Sequence, residues 1–212
     1  MRTEIPMPHR IARLPRNKVG YPVPWFIAWP DGQPDFRLIR PDGIRDAVRD
    51  ERCWICGQHR GANAAFVIGP MCAVNRVSAE PPSHRDCAIY AARACPFLTT
   101  PTMRRRPDLP DGVTAPAGQF ITRNPGVALV WVTRNHSPFR AADGSGVLFA
   151  IGAPQETLWY AHGREATRDE VLASIDSGLP ILREAAEAES PAAVEHLERC
   201  YREAQELIPA GA

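Results

Sequence analysis

The sequence predicts an α+β fold, with an N-terminal β-hairpin and helix, a cysteine-rich module, and a C-terminal three-stranded α/β lobe that ends in helices. Two pairs of potential metal ligands, Cys53 with Cys56 and His84 with Cys87, mark the module. Short apolar runs bounded by Gly and Pro predict strands on both sides of it. Capping residues followed by apolar residues at helical spacing predict the terminal helices.

The N-terminal region is predicted to be an arm followed by a hairpin. Residues 1–24 are basic and repeatedly interrupted by proline, so we expect an irregular basic arm. Residues 25–29 and 34–39 are β-rich runs that flank a Pro-Asp-Gly turn sequence. This combination predicts a β-hairpin.

A short helix and a second apolar segment are expected on either side of the first ligand pair. Asp42 is the predicted N-cap of a helix over residues 43–51, with Ile44 and Val48 on its buried face. Residues 64–77 are apolar and contain a Gly-Pro break. That break predicts a second hairpin or a strand with a sharp bend.

The second ligand pair is expected at the start of a helix. Two prolines precede Ser83, whose hydroxyl makes it a preferred N-cap residue. His84 and Cys87 then lie in the first helical turn, three residues apart on one face. Pro96 is expected to end this helix. Residues 25–98 thus contain the predicted hairpin and metal module.

A proline-rich linker and a second lobe are predicted after the module, over residues 99–118 and 119–212. Three apolar runs are predicted strands, at 127–133, 146–152 and 157–160. Thr167 and Glu170 form a capping-box sequence, a Gly-Leu-Pro break interrupts the helix that follows, and Ser190 opens the last helix. An apolar stripe on the last helix should pack against the strands, through Val194, Leu197, Tyr201, Ala204 and Ile208.

Composition excludes several classes of protein. The chain has 212 residues, of which 44% are hydrophobic and 23% charged, as in an ordinary globular protein. Its apolar runs fall well short of the ~20 residues of a membrane-spanning helix, so we expect no membrane partner. The N-terminus lacks the apolar region and cleavage site of a signal peptide. We therefore expect a cytoplasmic protein.

The spacing of cysteine and histidine predicts a zinc site. Five of the six cysteines lie between Cys53 and Cys95, and without a secretory signal this favours a metal over disulfides. The two ligand pairs supply four soft or borderline ligands, which is what tetrahedral zinc requires. Since four protein ligands leave no open coordination position, the predicted zinc is structural.

The sequence also allows other roles for these cysteines. Cys72 or Cys95 can replace His84 in an all-cysteine site, although we expect both in the core. Four of the five clustered thiols can also hold an iron–sulfur cluster. The remaining alternative is a set of buried cysteines without metal and a surface His84.

The order of these features resembles a treble-clef zinc finger. In that family a C-x-x-C turn is followed by a β-hairpin and by a helix whose first turn supplies the other ligand pair. The two pairs and the segment 64–77 match this layout, over roughly residues 50–97. The resemblance implies a zinc scaffold. Because treble clefs occur in nucleic-acid binders, protein-interaction modules and nucleases, it implies no single activity.

Basic residues near the module are candidates for contacts with phosphates. They belong to the predicted helix and to the linker, at Arg85, Arg93, Arg104, Arg105 and Arg106. The function that these features favour is that of a non-catalytic cytoplasmic accessory protein. Its structural zinc would hold a surface that binds nucleic acid or a protein partner.

The alternative is an enzyme, a metal-containing hydrolase or nuclease whose site lies in the C-terminal lobe around His136, His162 and Arg164. A nuclease of the HNH type needs a histidine base on the hairpin, and segment 64–77 has none; His59 lies just after the first ligand pair. The zinc-deaminase signature is also missing, because no C-x-x-C follows His84. These absences favour the binding function.

Overall fold

A computed structural model describes residues 5–101, 103 and 124–210 of the chain. Helices and strands are mixed, in agreement with the predicted α+β class. Most of the predicted linker at 99–118 lies outside the described residues, as do Arg104, Arg105 and Arg106. The described segments on either side of it meet, since the Asn124 N–H donates to the Met103 carbonyl at 3.1 Å.

The N-terminal region begins with a short helix, α1 (His9–Ala12), inside the segment predicted to be irregular. The predicted hairpin is present: β1 (Ile27–Ala28) pairs antiparallel with β2 (Asp35–Ile39). A 3₁₀ turn at Pro30–Gly32 connects the two strands. The Pro-Asp-Gly sequence therefore turns the chain where the sequence predicted it.

Helix α2 (Gly43–Arg49) follows the hairpin and has the predicted N-cap residue, Asp42, but the side-chain capping bond is missing and part of the buried face differs from the prediction. Asp42 adopts the left-handed conformation with φ 57° and makes no capping hydrogen bond. Its carboxylate instead pairs with Arg45 at 3.0 Å. The buried positions of the helix are Gly43 and Ala47, whereas Val48 is 38% exposed. Helical periodicity located the helix correctly, and of the two residues predicted on its buried face, Ile44 packs against the main core whereas Val48 does not.

The segment 64–77 is neither a hairpin nor a bent strand. It forms β3 (Ala64–Ile68), the helix α3 (Pro70–Asn75) and β4 (Val77–Ser78). The Gly-Pro break starts a helix because proline fits the first helical position, where its missing N–H needs no partner. The two strands separated by α3 then join different sheets.

Five more strands follow the undescribed segment. They are β5 (Ala128–Thr133), β6 (His136–Arg140), β7 (Val147–Ile151), β8 (Glu156–Ala161) and β9 (Arg164–Glu165). The three predicted strands correspond to β5, β7 and β8, so the three-stranded lobe is corrected to five strands. The sequence missed β6 because this edge strand is largely exposed and contains Pro138, and it missed β9 because a two-residue strand has no periodicity to detect.

The sheets join the metal module to the C-terminal lobe. Besides the β1–β2 pair, one sheet has the order β3-β5-β8-β9 and another β4-β7-β6, with every pair antiparallel. Each of these two larger sheets thus contains one strand from before the predicted linker. The main apolar core lies between them and includes Phe66, Leu129, Trp131, Phe149 and Ile175, each at most 2% exposed.

The described residues also contain four further helices: α4 (Arg85–Ala94), α5 (Pro96–Thr99), α6 (Arg168–Glu189) and α7 (Pro191–Gln205). The predicted capping box of Thr167 and Glu170 is present, and Ser190 caps α7. The predicted break in α6 is wrong, since the helix continues through Pro180. Gly178 lets α6 approach α3, because a Cβ there would lie 2.9 Å from the Met71 sulfur.

Helix α7 packs on helices rather than on strands. Its buried residues Leu197, Cys200 and Ala204 form a cluster with Val74 of α3 and Ala186 of α6. The predicted stripe therefore packs in two places: Leu197 and Ala204 face α3 and α6, whereas Ile208, just beyond the end of α7, belongs to the main core with the strands as predicted. Within the described part of the chain, we find no helix with the length and apolar content that crossing a membrane requires.

Candidate metal centre

The first pair of candidate ligands lies in a tight turn that the backbone holds closed. The Cys53 N–H donates to the Gln58 carbonyl and the Gly57 N–H to the Cys53 carbonyl, both at 2.8 Å. The Cys56 N–H points at the Cys53 sulfur, 3.4 Å away. Gly57 completes the turn with φ 72°, a conformation that suits glycine. Both sulfur-bearing side chains consequently face one side.

The second pair lies where the chain passes from an extended segment into α4. Ser83 exchanges two backbone hydrogen bonds with Ala65 of β3, at 2.7 and 2.9 Å. Ser83 is therefore not the N-cap that the sequence predicted; that position is occupied by His84. The His84 N–H donates to the Cys53 sulfur at 3.3 Å, and Cys87 follows in the first turn of α4 as expected.

The four side chains converge into one buried group. The candidate ligand atoms of Cys53, Cys56, His84 and Cys87 all lie within 4.8 Å of one another. The Nδ1 atom of His84 is 3.3 Å from the Cys56 sulfur and 4.0 Å from the Cys87 sulfur. Zn–S bonds of about 2.3 Å in a tetrahedron place ligand atoms about 3.8 Å apart. The group thus has the size that a single metal ion requires.

The orientation of the His84 ring leaves its Nδ1 nitrogen available to bind a metal. Its Nε2 lies 3.0 Å from the His59 carbonyl oxygen, and since a carbonyl only accepts, Nε2 carries the proton. The Nδ1 lone pair then faces the sulfurs. Such an outer hydrogen bond is typical of metal-binding histidines. The sequence did not indicate this role of His59, because a backbone carbonyl has no residue signature.

Electrostatics in the group favour a cation. Hydrogen bonding from Cys56, and next from Cys87, holds the pKa of the Cys53 thiol far below its usual range. The Cys53 hydrogen bond in turn raises the pKa of Cys56 to about 11 and raises the pKa of Cys87. Within the group, Cys53 is thus the thiol that most favours the thiolate form. Binding a divalent cation requires release of the protons on the other two thiols.

The N-terminal arm covers this group. Ile11 of α1 is 1% exposed and packs with Ile55 and the three cysteines. Arg10 pairs with Asp86 at the start of α4, at 2.9 Å. The Trp25 N–H donates to the Ile55 carbonyl at 2.7 Å. The segment predicted as an irregular basic arm is, over residues 5–24, part of the wall of the candidate metal centre.

The other cysteines of this region lie elsewhere. Cys72 of α3 packs against the main core, and burial raises the pKa of the Cys95 thiol at the end of α4. Among the described residues, neither belongs to the group of candidate ligands. The compact separation of the four ligand atoms also fits one ion better than an iron–sulfur cluster, in which separate metal atoms carry the ligands.

The two described arginines that were predicted to contact phosphates form hydrogen bonds within the protein instead. Arg85 binds Glu156 through two hydrogen bonds of 2.5 and 2.6 Å. Arg93 donates from Nε to the Gly163 carbonyl at 3.3 Å. The three remaining arginines, at positions 104 to 106, lie outside the described residues. The charge of Arg85 is thus compensated by a carboxylate, whereas Arg93 is held by a neutral carbonyl.

The proposed hydrolase residues do not converge. His136 starts β6 of the three-stranded sheet, whereas His162 and Arg164 belong to the β8–β9 hairpin of the other sheet. His162 has φ 53° in the hairpin turn, and Arg164 pairs with Glu170 at 2.6 Å. Instead, Arg164 shares an open cleft of about 360 Å³ with Arg93, Tyr160 and Glu165, a grouping that the sequence could not indicate.

The likeness to a treble clef is confined to the ligand pairs. The C-x-x-C turn and the helix that begins beside His84 agree with that layout, whereas a strand, a helix and a strand replace the expected hairpin between them. Comparison of the chain with protein-family models, curated proteins and solved structures finds no match in any of the three.

Proposed function

We propose that this chain is a zinc-stabilised, non-catalytic binding protein. The observation that supports the proposal best is the buried group of Cys53, Cys56, His84 and Cys87, whose ligand atoms lie within 4.8 Å of one another. Four protein ligands complete a tetrahedron, so such a site leaves no position for a substrate. The role that follows for the metal is structural.

The donor set favours zinc. Three sulfurs and one imidazole nitrogen are soft and borderline ligands, which select zinc over magnesium or calcium. The hydrogen bond from His84 Nε2 to the His59 carbonyl presents Nδ1 in the form that binds a metal. The proposal includes a treble-clef-like module, supported by the position of His84 and Cys87 at the start of a helix.

Zinc at this position would link separate parts of the chain. The turn of Cys53 and Cys56 would be tied to α4, on which the arm around Ile11 rests. In small zinc fingers a structural zinc contributes on the order of 10 kcal/mol to folding. In this larger chain the two sheets supply a core of their own, and we expect the metal to stabilise mainly the arm, the turn and the start of α4.

The partner classes are those expected from the sequence, nucleic acid or a protein, in the cytoplasm. The separation of His136 from His162 and Arg164 on different sheets favours this binding function over a hydrolase or nuclease in the C-terminal lobe. A hydrolase needs its acid, base and positioning groups to converge in one cleft.

Metal analysis of matched cysteine variants tests the proposal. We expect about one zinc per chain in the wild type, loss of zinc and a lower melting temperature in Cys53→Ser, and neither effect in Cys95→Ser. Cys95 is the control because it is a half-buried cysteine outside the candidate ligand group. Wild-type protein that is purified without chelators, is folded and contains no zinc would contradict the proposal, as would full zinc retention by Cys53→Ser.

A further inference from the structure

An open apolar groove of about 250 Å³ lies where the N-terminal arm meets the β1–β2 hairpin. Much of its wall consists of the rigid rings of three prolines and two tryptophans: Pro15, Pro24, Trp25, Trp29 and Pro41. Four of the eight large hydrophobic side chains that the described residues expose lie between Val19 and Phe36, and Trp29 is one of them, at 41% exposed. Such a concentration of exposed apolar groups is typical of a surface that a partner covers.

The walls of the groove are held in place by the rest of the protein. The Val23 N–H donates to the Pro15 carbonyl at 2.8 Å, which closes the arm on itself. The Trp25 N–H donates to the Ile55 carbonyl at 2.7 Å, so this wall is attached to the turn of the first candidate ligand pair. A groove that is already formed costs a ligand little conformational entropy.

The arm side of the groove is positively charged. Residues 5–30 contain no Asp or Glu, and their four basic side chains are Arg10, Arg13, Arg16 and Lys18. Arg13 and Arg16 directly precede and follow Leu14 and Pro15, which line the groove. Among the described residues only Arg10 of these four forms an ion pair, while Arg16 donates to the neutral Gly20 carbonyl at 2.7 Å. This excess of positive charge favours an acidic occupant.

Arg40 brings a further guanidinium group into the groove wall itself. It lies over the Trp25 ring, with its guanidinium carbon 4.4 Å from the ring centre. The carboxylate partner of Arg40 is Asp46 at 3.5 Å, and this one carboxylate is shared with Arg45 and Arg49 at 3.8 and 3.4 Å. The groove therefore combines apolar rings with a cation whose anion is divided among three arginines.

We infer that this groove binds an acidic, proline-containing segment of a protein partner in the polyproline II conformation. Grooves lined by aromatic rings recognise such segments through ring packing. A polyproline II segment has no internal hydrogen bonds and keeps its backbone solvated, which suits a wall whose three prolines have no N–H to donate. The inference rests on the proposed binding function and specifies its surface and partner class.

Single-stranded nucleic acid fits the groove less well. Its bases stack on open aromatic faces, whereas Arg40 covers a face of Trp25. The other ring pair of this region is also closed, since Phe26 stacks on Trp54 with ring centres 4.8 Å apart. Trp29 alone offers too small a platform for successive bases.

Selection of peptides on the zinc-loaded full chain tests the inference. The probes are a random library of linear peptides displayed on phage and, for comparison, a pool of random single-stranded DNA. We expect the retained peptides to be enriched in Pro and in Asp or Glu. They should shift the indole N–H resonance of Trp29, which is identified by its loss in Trp29→Phe. Fluorescence anisotropy of the best peptide, synthesised with a label, measures its affinity.

Matched variants separate the groove from other exposed groups. Trp29→Ser should weaken binding of the best peptide about tenfold or more. Phe139→Ser is the control, because Phe139 is 40% exposed but lies on the edge strand β6, and its affinity should stay within about twofold of the wild type. The double variant Arg13→Gln, Arg16→Gln should weaken binding several-fold at low salt and less at high salt. Melting temperatures establish that every variant is folded.

Several results would overturn the inference. These are a wild type that retains no peptide, retained peptides that are basic or lack proline, unchanged affinity in Trp29→Ser, and a shift of the Trp29 resonance by DNA but by no peptide. Zinc content is measured on the same samples. A folded, zinc-loaded chain without a peptide ligand refutes the groove alone, whereas a zinc-free chain that binds an acidic proline peptide through Trp29 refutes the zinc site alone.

Discussion

Gly57 lies directly against the ring of Trp25, so closely that a Cβ atom on Gly57 would be 2.5 Å from the indole carbons. Gly57 belongs to the turn that holds Cys53 and Cys56, and Trp25 belongs to the segment between the arm and the hairpin. Arg40 covers the same ring, with its guanidinium carbon 4.4 Å from the ring centre. This contact ties the first ligand pair to the N-terminal region.

Gly57→Ala is therefore expected to destabilise the protein more than a change at a comparable glycine. Gly61 is the control, since it also has a positive φ, 79°, but a Cβ there meets nothing within 4 Å. Alanine at either position loses about 1 kcal/mol to backbone strain, and overpacking against Trp25 should add roughly 1–3 kcal/mol at Gly57. Urea unfolding of the zinc-loaded variants measures the difference. Equal stabilities would show that the Trp25 contact is unimportant.

Removal of the metal is expected to release the arm. Ile11 packs on the cysteines that would hold zinc. A chelator should therefore loosen the arm and accelerate tryptic cleavage after the surface residues Arg10 and Arg13 about tenfold or more. Arg199 on α7 serves as the internal control, because α7 packs on α3 and α6. Mass spectrometry of timed digests identifies the cut sites. Unchanged cleavage after Arg13 would contradict a metal-dependent arm.

The capping box of α6 should make the stability of the protein depend on pH in the acidic range. Hydrogen bonding from Arg164 lowers the pKa of Glu170 from 4.5 to about 2. A carboxylate with a lowered pKa in the folded state contributes its full stability above its ordinary pKa and loses it as the pH falls towards the folded value. Glu170→Gln should therefore be less stable by about 1 kcal/mol at neutral pH, and this difference should disappear between about pH 4.5 and about pH 2.

Thermal unfolding across that pH range checks the prediction. Glu189→Gln is the matched control, because Glu189 is an exposed carboxylate at the other end of α6. Its difference from the wild type should stay small throughout. A constant gap between Glu170→Gln and the wild type at all pH values would mean that the ion pair with Arg164 does not stabilise α6.

Local chemistry was predictable where one short segment contains it all. The capping box of Thr167 and Glu170 needs only residues three apart, and the structure confirms both of its hydrogen bonds. The alternating or continuous apolar runs likewise predicted β5, β7 and β8. Prediction failed where a local signal has two outcomes: the Gly-Pro break before α3 is compatible with a turn and with a helix start.

Long-range relationships were not predictable, because the contacts join distant residues with no shared pattern. Arg85 appeared to be free for phosphate until the structure placed Glu156 beside it. Arg60 attracted no attention in the sequence, and only the meeting of its loop with the start of β6 set it against His136. The strand β6 is exposed and contains a proline, so it had no hydrophobic periodicity from which it could have been predicted.

The sequence by itself indicated the four candidate ligands, with Cys72 and Cys95 left open as replacements for His84, since metal binding selects residue types whose short spacing within each pair is visible without a structure. It also determined the α+β class through the periodicities of apolar residues. Only the tertiary structure decided how the parts join: the strands β3 and β4 pair with strands from beyond the predicted linker, and the arm closes over the cysteines. Those outcomes depend on which surfaces bury each other, and burial is a property of the assembled chain rather than of any segment.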